Sequence, residues 1–470
     1  MRRPTAALAL AACLPCAAWA HSFGQIYNLP VPLWLYTYGA AAALLLSFVV
    51  LGWWMTAAPP EPQLRAAADP PRLLTGRVAR ATSVACLLLT IIAGFAGTSN
   101  PYANIGMTLF WIWFALGLAY ASALLGNFYA AINPWRVLIE WIERFRPEFF
   151  SGRARASPEG SVYIALVFYA AFVGFELLGH PSPFSLSVAL VVYTLCNLAG
   201  AWWLGQPAWF ARGEFFGVLF ALYARMAPGR GGVLRERAAD FSVLLFVLFM
   251  LSSTAYDGVR ETLPWSMLYW KQLAPLLTPW VGNDIVQSFP ILRAIHHVWE
   301  WLTLLASPLL YLGLYLFFIE LSRRCAGSAR STRELALDFA YTLLPIVLVY
   351  HLAHYFSLLV TQGPQLLRLL SDPFGRGWDV FGTARWLRTP IILPAGWVWH
   401  TQVGLIVAGH VASVYLAHVQ ALRIFREPRA ALRSQLPMLV LMVAFTTLGL
   451  WILAQPIQSG QVVVPAAPQR

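Results

Sequence analysis

Ten apolar runs follow one another along this chain, at about 33–55, 81–97, 105–125, 161–179, 184–204, 241–257, 299–320, 337–361, 397–421 and 435–455. Each is long enough to cross a hydrocarbon layer, which takes roughly 17–25 residues of helix. With 59% hydrophobic and only 11% charged residues, the 470-residue chain has too little charge to cover a soluble domain of its length. A backbone inside lipid must satisfy its own hydrogen bonds, and a helix does so within the segment. The expectation is therefore an all-α, polytopic integral membrane protein with about ten transmembrane helices. The +12 formal charge does not argue for a nucleic-acid partner, because the arginines lie in short loops between the apolar runs, where topology determinants belong.

Those loops alternate in basic content. One set carries Arg65, Arg72, Arg77 and Arg80; Arg136, Arg144, Arg146, Arg153 and Arg155; Arg212, Arg225, Arg230, Arg235 and Arg237; Arg323, Arg324, Arg330 and Arg333; and Arg423, Arg426, Arg429 and Arg433, 22 in all. The other set holds eight: Arg260, Lys271, Arg293, Arg368, Arg376, Arg385, Arg388 and Arg470. The positive-inside rule puts the first set in the cytoplasm and both mature termini on the periplasmic side of a bacterial inner membrane. Residues 1–20 read as a cleavable signal peptide, with Arg2 and Arg3, a short apolar core, and the small-residue site Ala18-Trp19-Ala20. Cleavage there leaves His21 first in a single helical domain, 21–470, with two long extracytoplasmic loops at 258–298 and 362–396. Both are rich in aromatic residues and suited to the lipid interface or to covering a site. Cys13 and Cys16 leave with the signal, and Cys86, Cys196 and Cys325 form no evident pair for a periplasmic disulfide or thiolate site.

The nine histidines gather towards the periplasmic side. His21, His180, His296, His297, His351, His354 and His400 fall at or near that surface, with His410 and His418 deeper. Polar groups of this kind are expensive in hydrocarbon and mark function. His351 and His354 stand i, i+3 on one helical face, the spacing a metal ligand pair needs; two hydrogen-bonded interfacial histidines would look the same. His400 is a ligand candidate at the start of its span and His410 a weaker one, while His418 lies about 27 Å from His400 along the axis and cannot share its site. His296 and His297 precede Glu300 by four and three residues, so a carboxylate could ligate beside an imidazole or orient it. A free amino-terminal His21 can chelate copper. Asp257, Glu261 and Glu300 are the candidate catalytic acids or bases, and Glu176 one turn before His180 is another; ion pairs with Arg260 or Arg293 are the plain alternative. No Walker loop, dinucleotide fingerprint, HExxH, CxxCH or GxSxG occurs.

His21-Ser-Phe-Gly-Gln25, Leu29-Pro-Val-Pro-Leu-Trp-Leu35, Ser253-Thr-Ala-Tyr-Asp-Gly258, Val349-Tyr-His-Leu-Ala-His-Tyr355 and Gly409-His410-Val411 together resemble a bacterial integral-membrane family described as fenitrothion hydrolases. The resemblance runs along most of the mature chain. It implies hydrolysis of an apolar organophosphorus triester at its aryl ester bond, without assigning active-site residues. A divalent metal such as zinc or copper, held by the histidines above with Asp257 or Glu300, would supply hydroxide and polarise the phosphoryl oxygen. Two other classes suit the same residues. One is a haem b or copper-handling protein, with histidines from the 337–361 and 397–421 spans as axial ligands or a periplasmic partner subunit receiving copper. The other is a proton-coupled transporter. The hydrolase expectation requires lipid and an apolar small molecule as partners, and the histidines and acids must converge.

Overall fold

The computed structural model describes residues 30–455 except 60–74, 155–156, 229–231, 235, 283, 285, 388–390 and 426. Residues 1–20 and His21 lie outside the described part. Among the described residues every regular element is helical, and nine helices are long and apolar enough to cross a membrane. They are α1 Leu33–Trp54, α2 Arg77–Ala96, α3 Ile105–Leu125, α6 Pro183–Leu204, α9 Phe241–Arg260, α10 Phe289–Ala326, the Thr332–Ser371 segment containing α11 (Leu344–Gln362), α12 Ala395–Ile424 and α13 Pro428–Ala454. The tenth apolar run forms the shorter α5, Tyr163–Leu178. Shorter helices α4 (Pro134–Phe145) and α7 (Gln206–Arg212) join these at the arginine-rich end, and α8 (Phe215–Ala224) packs between α3 and α5. The multi-pass, all-α expectation agrees with this architecture.

Helix α9 is the central post: Phe246 to Asp257 is buried without interruption. A helix that is apolar all round belongs in the middle of a bundle, where every face has a neighbour. It starts at Asp240, whose carboxylate accepts from Ser242 and Val243 backbone N–H groups and so closes the first turn. Its neighbours are α10, α11, α5 and α13. Two glycines let helices approach closely. Gly174 in α5 receives the ring of Trp301, and Gly409 in α12 receives Val349 of α11; a Cβ at either would overlap that side chain. Small residues at helix contacts serve association in lipid because no hydrophobic effect between helices operates there.

Three local departures from regular helix shape the interior. Thr108–Gly117 within α3 is wound as a π-helix, a wide form usually limited to one turn and frequent at functional sites. Proline at Pro308 and Pro437 interrupts the ladders of α10 and α13. The third is α8, a ten-residue helix in the segment that its arginines mark as a loop. It is buried nearly throughout, with the Phe216 ring 4.7–6.2 Å from the rings of Phe110, Phe114, Trp135, Phe172 and Tyr193. Glu214 starts it, and its two oxygens accept from Asn133 Nδ2 (2.7 Å), the Tyr193 hydroxyl (2.8 Å) and the backbone N–H groups of Phe216 (3.1 Å) and Gly217 (2.7 Å). Four donors explain how a carboxylate sits fully buried there.

The two long loops are packed structures. Within 258–298 lie the short helices Leu263–Met267, Leu268–Leu273 and Ala274–Val281, followed by the first two turns of α10. Their exposed Leu263, Met267, Leu268, Leu276 and Trp280 suit a helix lying along the lipid surface. The 362–396 loop is tied to the turn after α2: Thr98 N donates to Phe374 O (2.8 Å), Ile105 N to Pro373 O (3.2 Å) and Arg376 Nη2 to Ala96 O (2.7 Å).

Candidate functional site

A cavity of about 140 Å³ lies between α3, α5, α8, α9 and α11. Pro101, Tyr102, Pro181 and Gln362 line its end away from the arginine-rich loops. The π-helical stretch supplies one wall through Thr108, Trp111, Ile112, Ala115 and Leu116. Most of the lining is apolar or aromatic, and the ionisable groups reaching it from the core are Glu176, His351 and tyrosines including Tyr355 and Tyr223.

Glu176, near the end of α5, accepts a hydrogen bond from the Tyr355 hydroxyl at 2.9 Å. His351, one helical turn earlier on α11, lies 3.0 Å through Nδ1 from the Tyr120 hydroxyl. Whichever of the two donates fixes the imidazole tautomer and thus whether Nε2 is a donor or an acceptor. Trp111 contributes a buried indole N–H with no partner among the described residues. An indole can only donate, so a site lined by Trp111 favours a guest carrying an acceptor oxygen. Glu176 and His351 thus border an apolar, aromatic enclosure that Trp111 also lines.

Behind the chamber is a second, charged layer. His354 Nε2 lies 2.7 Å from Asp257 Oδ2. Arg260 Nε donates to Asp257 Oδ1 at 3.3 Å, and Arg260 Nη2 lies 2.9 Å from Glu261 Oε1. Glu300 also lies within electrostatic reach of Arg260. Asp257 and Glu261 thus pair with one guanidinium, while Glu300 lies farther from it. Burial pushes the Glu261 carboxyl upward, with Arg260 opposing. Glu176, Asp257, His354 and Arg260 interact electrostatically with one another, so the two layers form one polar unit.

His180, His400, His410 and His418 have other partners. His400 Nδ1 is 3.3 Å from the Tyr36 hydroxyl, on the outside of the bundle. His410 Nδ1 donates to Ile406 O at 2.8 Å within its own helix. His418 lies between Gln435 and the Met55 carbonyl, and His180 contacts Leu178 O. His296 and His297 flank Glu300, with Nδ1 atoms 3.6 and 3.8 Å from Oε2, while His297 Nε2 accepts from the Trp301 indole. Among the described residues no group of three or more His, Cys, Asp or Glu side chains is arranged to hold a metal ion. His354 Nε2 is on Asp257 and His351 Nδ1 on Tyr120, so a metal would have to take the other ring nitrogen of each, His354 Nδ1 and His351 Nε2.

Sequence reasoning flagged Glu176, His351 and His354 but gave no reason to place Trp111, Tyr120 or Tyr355 beside them. The one available signal was Tyr355 following His354 directly. Comparison of the chain with known families, curated proteins and solved structures finds no match in any of the three.

Proposed function

We propose that the protein is a membrane-embedded hydrolase of small, apolar phosphotriesters of the fenitrothion type, with its site in the chamber beside Glu176 and His351. The observation that carries this reading is that Glu176 and His351 line one aromatic enclosure together with Trp111, whose indole N–H has no partner among the described residues. An apolar triester dissolved in the bilayer enters past Tyr102 and Pro181. Its phosphoryl oxygen, or the thiophosphoryl sulfur of fenitrothion, takes the Trp111 N–H, which stabilises charge that grows there as phosphorus is attacked. Glu176 or His351 removes a proton from water as its oxygen bonds to phosphorus. The bond to the aryl oxygen then breaks, and the aryloxide leaves with that electron pair. Tyr355 holds Glu176, and Tyr120 holds His351, in position.

The reading places the Tyr102 end of the chamber on the periplasmic side of a bacterial inner membrane, following the arginine distribution. Its test is nitrophenolate release from fenitrothion by the purified protein in nanodiscs, with Glu176→Gln and His351→Ala. General-base removal is expected to lower the rate roughly 10²–10⁴-fold in at least one of the two, with both variants eluting as the parent does in size exclusion. Undiminished hydrolysis in both variants rules the reading out. Loss of parent activity on chelation, restored by zinc, would instead return the chemistry to a metal.

A further inference from the structure

The short helix α8 has a cavity on each side. Phe216, Leu219 and Tyr223 face the chamber. Gly217, Val218, Ala221 and Leu222 face a second cavity of about 270 Å³ that also takes in Asn127, Arg136, Arg225 and Tyr341. The two cavities lie towards opposite ends of the bundle. Pro101, Pro181 and Gln362 reach the first, whereas the second is bounded by the starts of α5 and α9 at Val162 and Val243, within the arginine-rich end. A ten-residue helix is roughly 15 Å long, about half a hydrocarbon layer. Broken or short helices at membrane depth occur where they line a cavity, and in transporters they form the substrate site.

We infer that α8 is the barrier of a solute pathway through the protein, with the chamber and the arginine-lined vestibule as its two halves. The linings select the solute. Rings of Trp111, Phe172 and Phe216 line the first half, and two guanidinium groups line the second. Arg225 lies over the Tyr341 ring at 4.1 Å and pairs with Glu236 at 3.1 Å; among the described residues the Arg136 guanidinium contacts Glu140 at 3.4 Å and Ala130 O at 3.4 Å. Each guanidinium carries five N–H donors, so both retain capacity for an incoming anion. A small aromatic carboxylate matches both halves. Glu214 and its four donors fix one end of the barrier, and the Pro228 that follows α8 stops its continuation.

The test combines flux and access. Uptake of radiolabelled terephthalate into proteoliposomes is expected to exceed that of protein-free liposomes. Leu219→Trp, which wedges the barrier, is expected to cut it at least ten-fold while eluting normally in size exclusion. In a chain whose native cysteines are serine, a membrane-impermeant maleimide is expected to label Ala221→Cys from the arginine-rich face and Ala115→Cys from the opposite face. Uptake no greater than in empty liposomes overturns the inference, as does unchanged uptake with Leu219→Trp or failure of Ala221→Cys to react from the arginine-rich face. The inference stands apart from the hydrolase reading: uptake without hydrolysis sustains it, and hydrolysis without uptake overturns it.

Discussion

A carboxylate held by a guanidinium and one held by a tyrosine hydroxyl are different reagents, and this protein has both within one polar unit. Asp257 faces Arg260 and His354 and is committed to charge balance in a place where an unpaired charge would be costly. Glu176 has Tyr355 as its hydrogen-bond donor and borders open space. That difference separates the residues proposed to work on substrate from those that support them. Glu261, just beyond the end of α9, provides a measurable sign. Burial raises its folded-state pKa above the ordinary 4.5, so the folded protein binds its proton more tightly than the unfolded chain. Its contribution to stability is full below about pH 4.5 and is lost as pH rises through the raised value. Thermal unfolding in detergent should therefore show stability falling with pH above 4.5 in the parent and less steeply in Glu261→Gln; equal slopes would show that Glu261 does not contribute this dependence.

Helices long enough to cross were plain in the sequence because a uniform apolar run of about twenty residues has few other uses. Helix α8 was not, since ten apolar residues flanked by Arg212 and Arg225 look like part of a basic loop until neighbours are placed round them. Nor was the π-helical stretch of α3: Thr108 to Gly117 is an ordinary apolar helix by composition, and its winding depends on what it packs against. The same limit applies to histidines. The i, i+3 pairing of His351 and His354 follows from one helix and was legible, yet His351 turns to Tyr120 on α3 and His354 to Asp257 on α9. Which helices adjoin is a fact of packing, so the expected convergence of His296, His297, His400 and His410 could not be decided from spacing. The cap of α8 tests how firmly this element is held. Glu214→Ala would leave Asn133, Tyr193 and two backbone N–H groups unsatisfied in the interior, and is expected to destabilise the protein by about 2 kcal/mol or more. A melting temperature in detergent equal to that of the parent would show that α8 is fixed by its aromatic contacts alone.

At the scale of the molecule, nine long helices among the described residues and the shorter α5 surround one polar unit beside the buried post α9, with the chamber towards the arginine-poor end. The arginine pattern read this polarity from sequence, since charged loops obey rules that do not depend on which helices touch. Its separation of a tyrosine-held carboxylate from an arginine-held set needed coordinates. The claim on which function depends is that the chamber between α3, α5 and α11 takes a phosphotriester. The most direct measurement is a cryo-EM map of the protein in nanodiscs with a slowly hydrolysed trialkyl phosphate at saturating concentration. The expected result is ligand density bounded by Trp111, Glu176 and His351, with an oxygen within hydrogen-bonding distance of the Trp111 indole. A chamber without ligand density, while the ligand is ordered elsewhere on the protein, would contradict it.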